Sequence, residues 1–215
     1  MPNSPSPGVP PLGALPPGAL ASPSTARNRG PILEVLGSRL PERGVVLEVA
    51  AGAGEHAAHI AAALPGLQWW PTDRDPTALA SIAAWRKHAG APNLLPPRAL
   101  DAADPESWLA GPFDVVVNIN MIHISPWAAA EGLMAGAGRV LTPGGLLFLY
   151  GPFIESDAPT APSNVAFDFD LRRRNPDWGL RRLGEVKALA ARHGLRFVER
   201  IAMPANNLSL FFRRT

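Results

Sequence analysis

A few residues of this chain carry side chains that can hold or act on a ligand, and their spacing limits the chemistry. Glu48 interrupts an apolar run, Val45 to Val49, and is followed at once by Ala50-Ala51-Gly52-Ala53-Gly54. A carboxylate inside such a run is costly unless something pairs with it. Placed just ahead of a glycine turn, it suits the cationic end of a cofactor or the amides of the loop itself. Gly52 and Gly54 let the backbone turn sharply and come close to a ligand. Asp73 follows about 20 residues later, where an acid can accept hydrogen bonds from both ribose hydroxyls of a nucleoside. His123 closes a β-branched run, and its imidazole can take a proton from a bound group or hydrogen-bond to it. Gly52-x-Gly54-x-x-Ala57 also fits the dinucleotide fingerprint with alanine in third place. Nicotinamide, flavin and S-adenosylmethionine (SAM) cofactors therefore all stay open on the loop alone.

Other polar residues are weaker candidates. His56 sits where the loop meets a helix and is placed to touch a cofactor. His59 lies one helical turn further on, but a zinc pair needs more ligands than the chain offers nearby. Asp168 and Asp170 have no histidine at ligand spacing, so no metal is expected. Asn118 and Asn120 end an apolar run. Tyr150, Asn164, Asn206 and Asn207 fall at a strand end, in a long loop and in a final hairpin, where they are candidates to line an acceptor pocket. Trp127 and Trp178 are candidates to flank it. Arg172, Arg173 and Arg174, with Arg181 and Arg182, form basic runs that would suit either a solvated surface or an anionic acceptor.

The elements that must position these residues follow from periodicity. Thr25–Leu40 has helical spacing, with Pro31 suited to a first turn. Strands are expected at Val45–Ala50, Leu67–Thr72, Asn93–Leu100, Phe113–Asn120 and Gly145–Tyr150. Pro96 and Pro97 put the third of these near an edge. Helices are expected between them at Gly54–Leu64, Pro76–His88, Asp104–Ala110 and Pro126–Val140. This alternation implies a mostly parallel, doubly wound sheet. Gly151–Gly179 is expected to be a long loop and Leu183–His193 a helix. Leu195–Met203 and Asn207–Arg213 are then two strands, and a link as short as Pro204-Ala205-Asn206 favours an antiparallel pair.

Composition sets the outer bounds. The chain has 215 residues, of which 47% are hydrophobic, so one α/β domain with a full core is within reach. A net charge of +2 gives no case for a nucleic-acid partner. No apolar run is long enough to span a membrane. Zero cysteines exclude disulfides and thiolate chemistry. Met1 to Ser24 is rich in Pro, Gly, Ala and Ser and has no charge. It is expected to be a mobile tail ahead of a domain over residues 25–215. Prolines interrupt it too often for a secretory signal, and a cytoplasmic location is expected.

At this point the chain resembles the class I SAM-dependent methyltransferases. Glu48-Val49-Ala50-Ala51-Gly52-Ala53-Gly54 is similar to their first motif. Asp73 ends the second strand, Asp101-Ala102 the third, and Leu141-Thr142-Pro143-Gly144-Gly145 is similar to their turn into strand five. The match looks closer still to the methyltransferase-like twenty-six group. The segments Arg27–Leu33, Thr72–Pro76, Asn118–Trp127, Tyr150–Phe153, Ala161–Asn164 and Met203–Asn207 carry it. The resemblance implies an α/β, Rossmann-like, doubly wound seven-stranded sheet whose last strand is antiparallel. It implies SAM as cofactor, held by Asn28, Glu48, Ala50, Gly52, Gly54, His56, Asp73, Arg74, Asp101, Ala102, Asn118 and Met121. Asp101 would meet the adenine. His123 and Tyr150 are the catalytic candidates. Trp127, Asn164 and Asn206 join them in binding a small-molecule acceptor, methylated on O, N or C. A non-catalytic protein of the same fold is the alternative. The asparagine-rich end of strand four lacks the Asp/Asn-Pro-Pro pattern of amino methyltransferases, which counts against a DNA-base or amide-nitrogen acceptor.

Overall fold

The computed structural model describes residues 15–215. The expected tail lies outside the described residues as far as position 14. From there on the segment is docked. Ala19 is buried, the Leu20 N–H donates to the Ser81 hydroxyl at 2.8 Å, and the Leu20 carbonyl accepts the Trp85 indole N–H at 2.8 Å. Helix α1 spans Pro23–Gly37, so Ser24 stands inside a helix and not at the end of a tail. Pro23 takes the first-turn place expected of Pro31, which lies in the helix interior.

Seven strands form one sheet: β1 (Gly44–Val49), β2 (Leu67–Asp73), β3 (Arg98–Ala99), β4 (Phe113–Ile119), β5 (Leu141–Gly151), β8 (Leu195–Met203) and β9 (Asn207–Arg214). Two short strands, β6 (Phe153–Ile154) and β7 (Arg181–Arg182), pair separately. The order across the main sheet is β3-β2-β1-β4-β5-β9-β8. The pairs from β3 through β5 are parallel, and β9 runs antiparallel to both β5 and β8. The reversed strand is last in sequence but lies inside the sheet, between β5 and the edge strand β8.

Both faces of the sheet are covered, which is why its central strands are continuous apolar runs and not alternating ones. Leu47, Val49 and Val116 pack with Leu133 and Met134 of α4 (Trp127–Val140) and with Val186 of α6 (Leu183–Arg192). Val46, Val115 and Val117 pack on the other face with Ile32 of α1, Ile60 of α2 (Glu55–Ala63) and Trp85 of α3 (Pro76–Ala89). Helix α3 starts at the expected cap: the Asp75 carboxylate accepts the Thr77 N–H at 2.9 Å, with Pro76 in the first turn.

Three elements differ from expectation. The third strand shrinks to two residues, because Pro96 and Pro97 cannot donate to a ladder. The helix expected over Asp104–Ala110 is a single 3-10 turn, Pro105–Ser107. The expected loop Gly151–Gly179 contains a helix, α5 (Pro162–Arg174). Its apolar face is hard to see in sequence because only Asn164 and Leu171 are buried along it. Val165 and Phe169 are exposed.

Candidate functional site

The strand order reverses between β1 and β4, and ligand clefts in such sheets open beyond the carboxyl ends of the strands at that switch. A cleft of about 390 Å³ lies there. The glycine loop forms one wall. Ala50 and Gly52 both take left-handed backbone conformations, with φ of 58° and 57°. The Gly52 N–H donates to Asp73 Oδ2 at 2.8 Å, and the Asp75 N–H donates to the other oxygen at 3.0 Å. Asp73 therefore fixes the loop and the start of α3 together, and each carboxylate oxygen keeps a lone pair for a ligand. Gly54 is needed for packing. Its φ is 86°, and a Cβ there would come within 2.7 Å of the Ile82 backbone. It is not part of the lining.

Of the other cofactor candidates, Ala50, His56, Arg74, Asp101, Ala102 and Met121 all line the cleft. The Arg74 guanidinium lies 3.5 Å from Asp101 at the exposed end. His56 hydrogen-bonds Asn28 Oδ1 at 2.8 Å, and burial pushes its pKa down to about 4. Asn28 lines a second cavity instead, of about 610 Å³, which adjoins the first. Ser24, Asn120 and Ile124 line both. His123, Asn164, Phe167 and Asn207 line the second cavity. The structure thus brings His123, in the turn after β4, together with Asn164 of α5.

Six expected site residues are placed elsewhere. Glu48 is fully enclosed on the α1–α3 side of the sheet, where its carboxylate accepts the Trp69 indole N–H at 2.6 Å. Burial raises its pKa to about 7, against the lowering effect of that hydrogen bond. It touches neither cavity, because side chains alternate along a strand and its register aims it at Trp69. Asn118 is buried between strands and donates to the Val49 carbonyl at 2.9 Å. Tyr150 is buried in the core, and burial raises its pKa against an opposing influence of the Asn28 side chain. Trp127 lies under the Arg181 guanidinium, 5.6 Å from its ring centre, outside both cavities. Asn206 lines a neighbouring hollow, and its carbonyl accepts the Asn164 side-chain N–H at 2.9 Å. Trp178 stacks beneath Arg174.

His123 is 3% exposed, with Nδ1 lacking a hydrogen-bond partner. Burial, with the Arg181 charge in second place, lowers its pKa to about 4. The Phe167 ring meets it edge-on at 5.8 Å. Its loop is held by Arg181, which donates to the Ile122 carbonyl at 2.9 Å and the Ser125 carbonyl at 2.6 Å. Nothing in the basic composition around Arg181 marks that role. Phe167 and the cleft residues Ser22, Ser24 and Thr25 are not among the expected site residues: Phe167 lies in the unexpected helix, Ser22 and Ser24 in the expected tail, and Thr25 at the start of the expected first helix. Among the described residues, no group of three His, Asp or Glu is placed to hold a metal ion.

Solved structures share this fold. An O-methyltransferase family protein from Burkholderia thailandensis is 18% identical with a TM-score of 0.75, over 89% of this chain and 57% of that one. An O-methyltransferase family 2 protein from Planctomyces limnophilus, in complex with apigenin, is 23% identical with a TM-score of 0.73, over 89% of this chain and 60% of that one. CalO1, a methyltransferase in calicheamicin biosynthesis in its SAH-bound form, is 17% identical with a TM-score of 0.69, over 89% and 55%. The chain spans little more than half the length of these proteins, and at such identities the likeness is one of fold. Residues 20–214 match the family described as "Protein of unknown function (DUF938)", and the chain belongs to that family.

Proposed function

We propose that the protein is a SAM-dependent methyltransferase acting on a small-molecule acceptor. One observation carries this: the glycine-loop cleft opens into a second cavity, and the two share Ser24, Asn120 and Ile124 as a common wall. A cofactor and an acceptor would meet there in line. The residues of the first cavity fit an adenosyl group. Its size lies within the range of ligand sites. Asp73 offers carboxylate lone pairs at the end of β2 for ribose hydroxyls, and Asp101 and Arg74 flank the outer end. The class I fold shared with the methyltransferases above supports the same choice. When bound, SAM supplies a methyl carbon on a positively charged sulfur.

The chain's own part is to bind, orient and dry the two reactants. His123, neutral down to about pH 4, accepts a hydrogen bond from the acceptor and orients it. So low a pKa makes it a poor proton acceptor at neutral pH. Positioning is therefore its main contribution. A binder of the cofactor alone would have no need of a second cavity adjoining the cofactor cleft.

Calorimetry with S-adenosylhomocysteine (SAH) tests the reading. Asp73→Ala should weaken binding by about 1–3 kcal/mol, the scale of lost charge-assisted bonds. Asn164→Ala, in the second cavity, should leave SAH affinity unchanged. If SAH does not bind, or NADH binds in its place, the reading is wrong.

A further inference from the structure

We infer that the second cavity selects an uncharged, planar acceptor whose polar groups both donate and accept hydrogen bonds, such as a hydroxylated aromatic ring, and rejects carboxylates and amines. This names the acceptor class for the site proposed above and rests on that assignment only for the role of the cavity. Among the described residues that line it, none is Lys, Arg, Asp or Glu. The cations nearby in sequence are committed elsewhere. Arg181 donates to the carbonyls of Ile122, Ser125 and Asp177, Arg172 pairs with Asp168 at 3.0 Å, and Arg174 pairs with Asp170. A carboxylate entering the cavity would shed water and pair with no cation in the lining, and an ammonium would meet no carboxylate.

The polar lining is neutral and two-sided. Asn164 donates one amide N–H to the Asn206 carbonyl, and Asn207 donates its own to the carbonyls of Pro204 and Ala205 at 3.1 and 3.3 Å, so their amide oxygens are left to accept. Asn28 Oδ1 is bonded to His56 and Ser163 Oγ accepts the Asn206 side-chain N–H, so an Asn28 N–H and the Ser163 O–H are left to donate. The second cavity therefore offers donors and acceptors on uncharged side chains. Phe167 and Ile124 supply apolar surface for a flat body between these groups. Hydroxyl groups on a ring both donate and accept and match this lining, whereas a carboxylate brings a charge and accepts only.

Calorimetry on the full chain saturated with SAH tests this with three probes of one shape: 2,3-dihydroxynaphthalene, 2-naphthoate and 2-naphthylmethylamine. The neutral diol should bind at least about tenfold more tightly than either ion, the value of one good polar match. Phe167→Ala and Asn164→Ala should each weaken the diol by a similar factor and leave SAH affinity intact, which also shows that the variants are folded. Equal or tighter binding of the naphthoate or the amine overturns the inference. So does failure of all three probes, or a diol affinity indifferent to both substitutions. If SAH fails to bind but the diol keeps its preference without it, the methyltransferase reading falls and the acceptor class stands.

Discussion

Gly151 faces the imidazole of His123 so closely that a Cβ built on it would lie 3.0 Å from Cε1 and 3.1 Å from Nδ1. The ring is packed against bare backbone at the end of β5. Gly151→Ala should push the ring toward the second cavity. With an acceptor that is turned over, kcat/KM should fall by up to about 100-fold, the cost of displacing a positioning group by an ångström. SAH affinity should not move. Unchanged turnover would show that His123 does not position the acceptor.

His123 itself gives a sharper test. His123→Gln should raise KM more than it lowers kcat, because an orienting hydrogen bond is lost and not a proton relay. The pH profile of kcat/KM should show no limb near 6.5 from this residue, since its imidazole stays neutral down to about 4. A kcat loss at the upper end of the general-base range, about 10⁴-fold, would instead make it the base.

Glu48 makes stability depend on pH. Its folded pKa, about 7, lies above the ordinary carboxylate value, so the folded state holds the proton more tightly than the unfolded one. The resulting stabilisation is complete below about pH 4.5 and is lost as pH rises through 7, a swing of up to about 3 kcal/mol. Glu48→Gln keeps an acceptor for the Trp69 indole and removes the titration. Thermal melts from pH 5 to 8 should show a flatter trend for the variant, with its advantage over wild type largest at pH 8. Parallel curves for the two proteins would refute this.

Ser81 joins the N-terminal segment to the glycine loop. Its hydroxyl accepts the Leu20 N–H at 2.8 Å and donates to the Ala53 carbonyl at 2.6 Å. Deleting residues through Ser22 removes the Leu20 contacts to Ser81 and Trp85 and one edge of the cleft. The cost should be about 1–3 kcal/mol, or several degrees in Tm, and SAH should bind less tightly. Ser81→Ala should reproduce the loss of affinity with a smaller drop in Tm. A truncated chain that melts and binds like wild type would mean that the segment is an ornament to the cleft.

Much of this was legible in the sequence, for reasons that can be named. Val45–Val49, Phe113–Ile119 and the Asp75-Pro76 start of α3 announce themselves by β-branched runs and a capping pair, which act locally. The cleft residues Gly52, Asp73 and Asp101 follow from spacing against those strands. Glu48 misled because strand parity decides which face a side chain takes, and Trp69 as its partner comes from another strand. Asn118 misled because a polar residue at a strand end can serve a neighbouring backbone as well as a ligand, and Tyr150 because its ring is taken up by the core. Helix α5 was hidden because its buried face holds little more than Asn164 and Leu171. The docked segment from Ala19 to Ser22 was hidden because its fixing bonds come from Ser81 and Trp85, some 60 residues away.

The insertion of β9 between β5 and β8 separates the sources of the two cavities. The glycine-loop cleft draws its lining from residues 22–129, within the parallel half of the sheet. The second cavity also takes Ala205 and Asn207 from the turn that joins β8 to β9. β8 has no neighbour in the main sheet except β9, so the hairpin joins the sheet only through β5. The glycine-loop cleft is thus walled without the hairpin, whereas the second cavity depends on it. Variation in that hairpin and in α5 would reshape the second cavity and leave the glycine-loop cleft untouched.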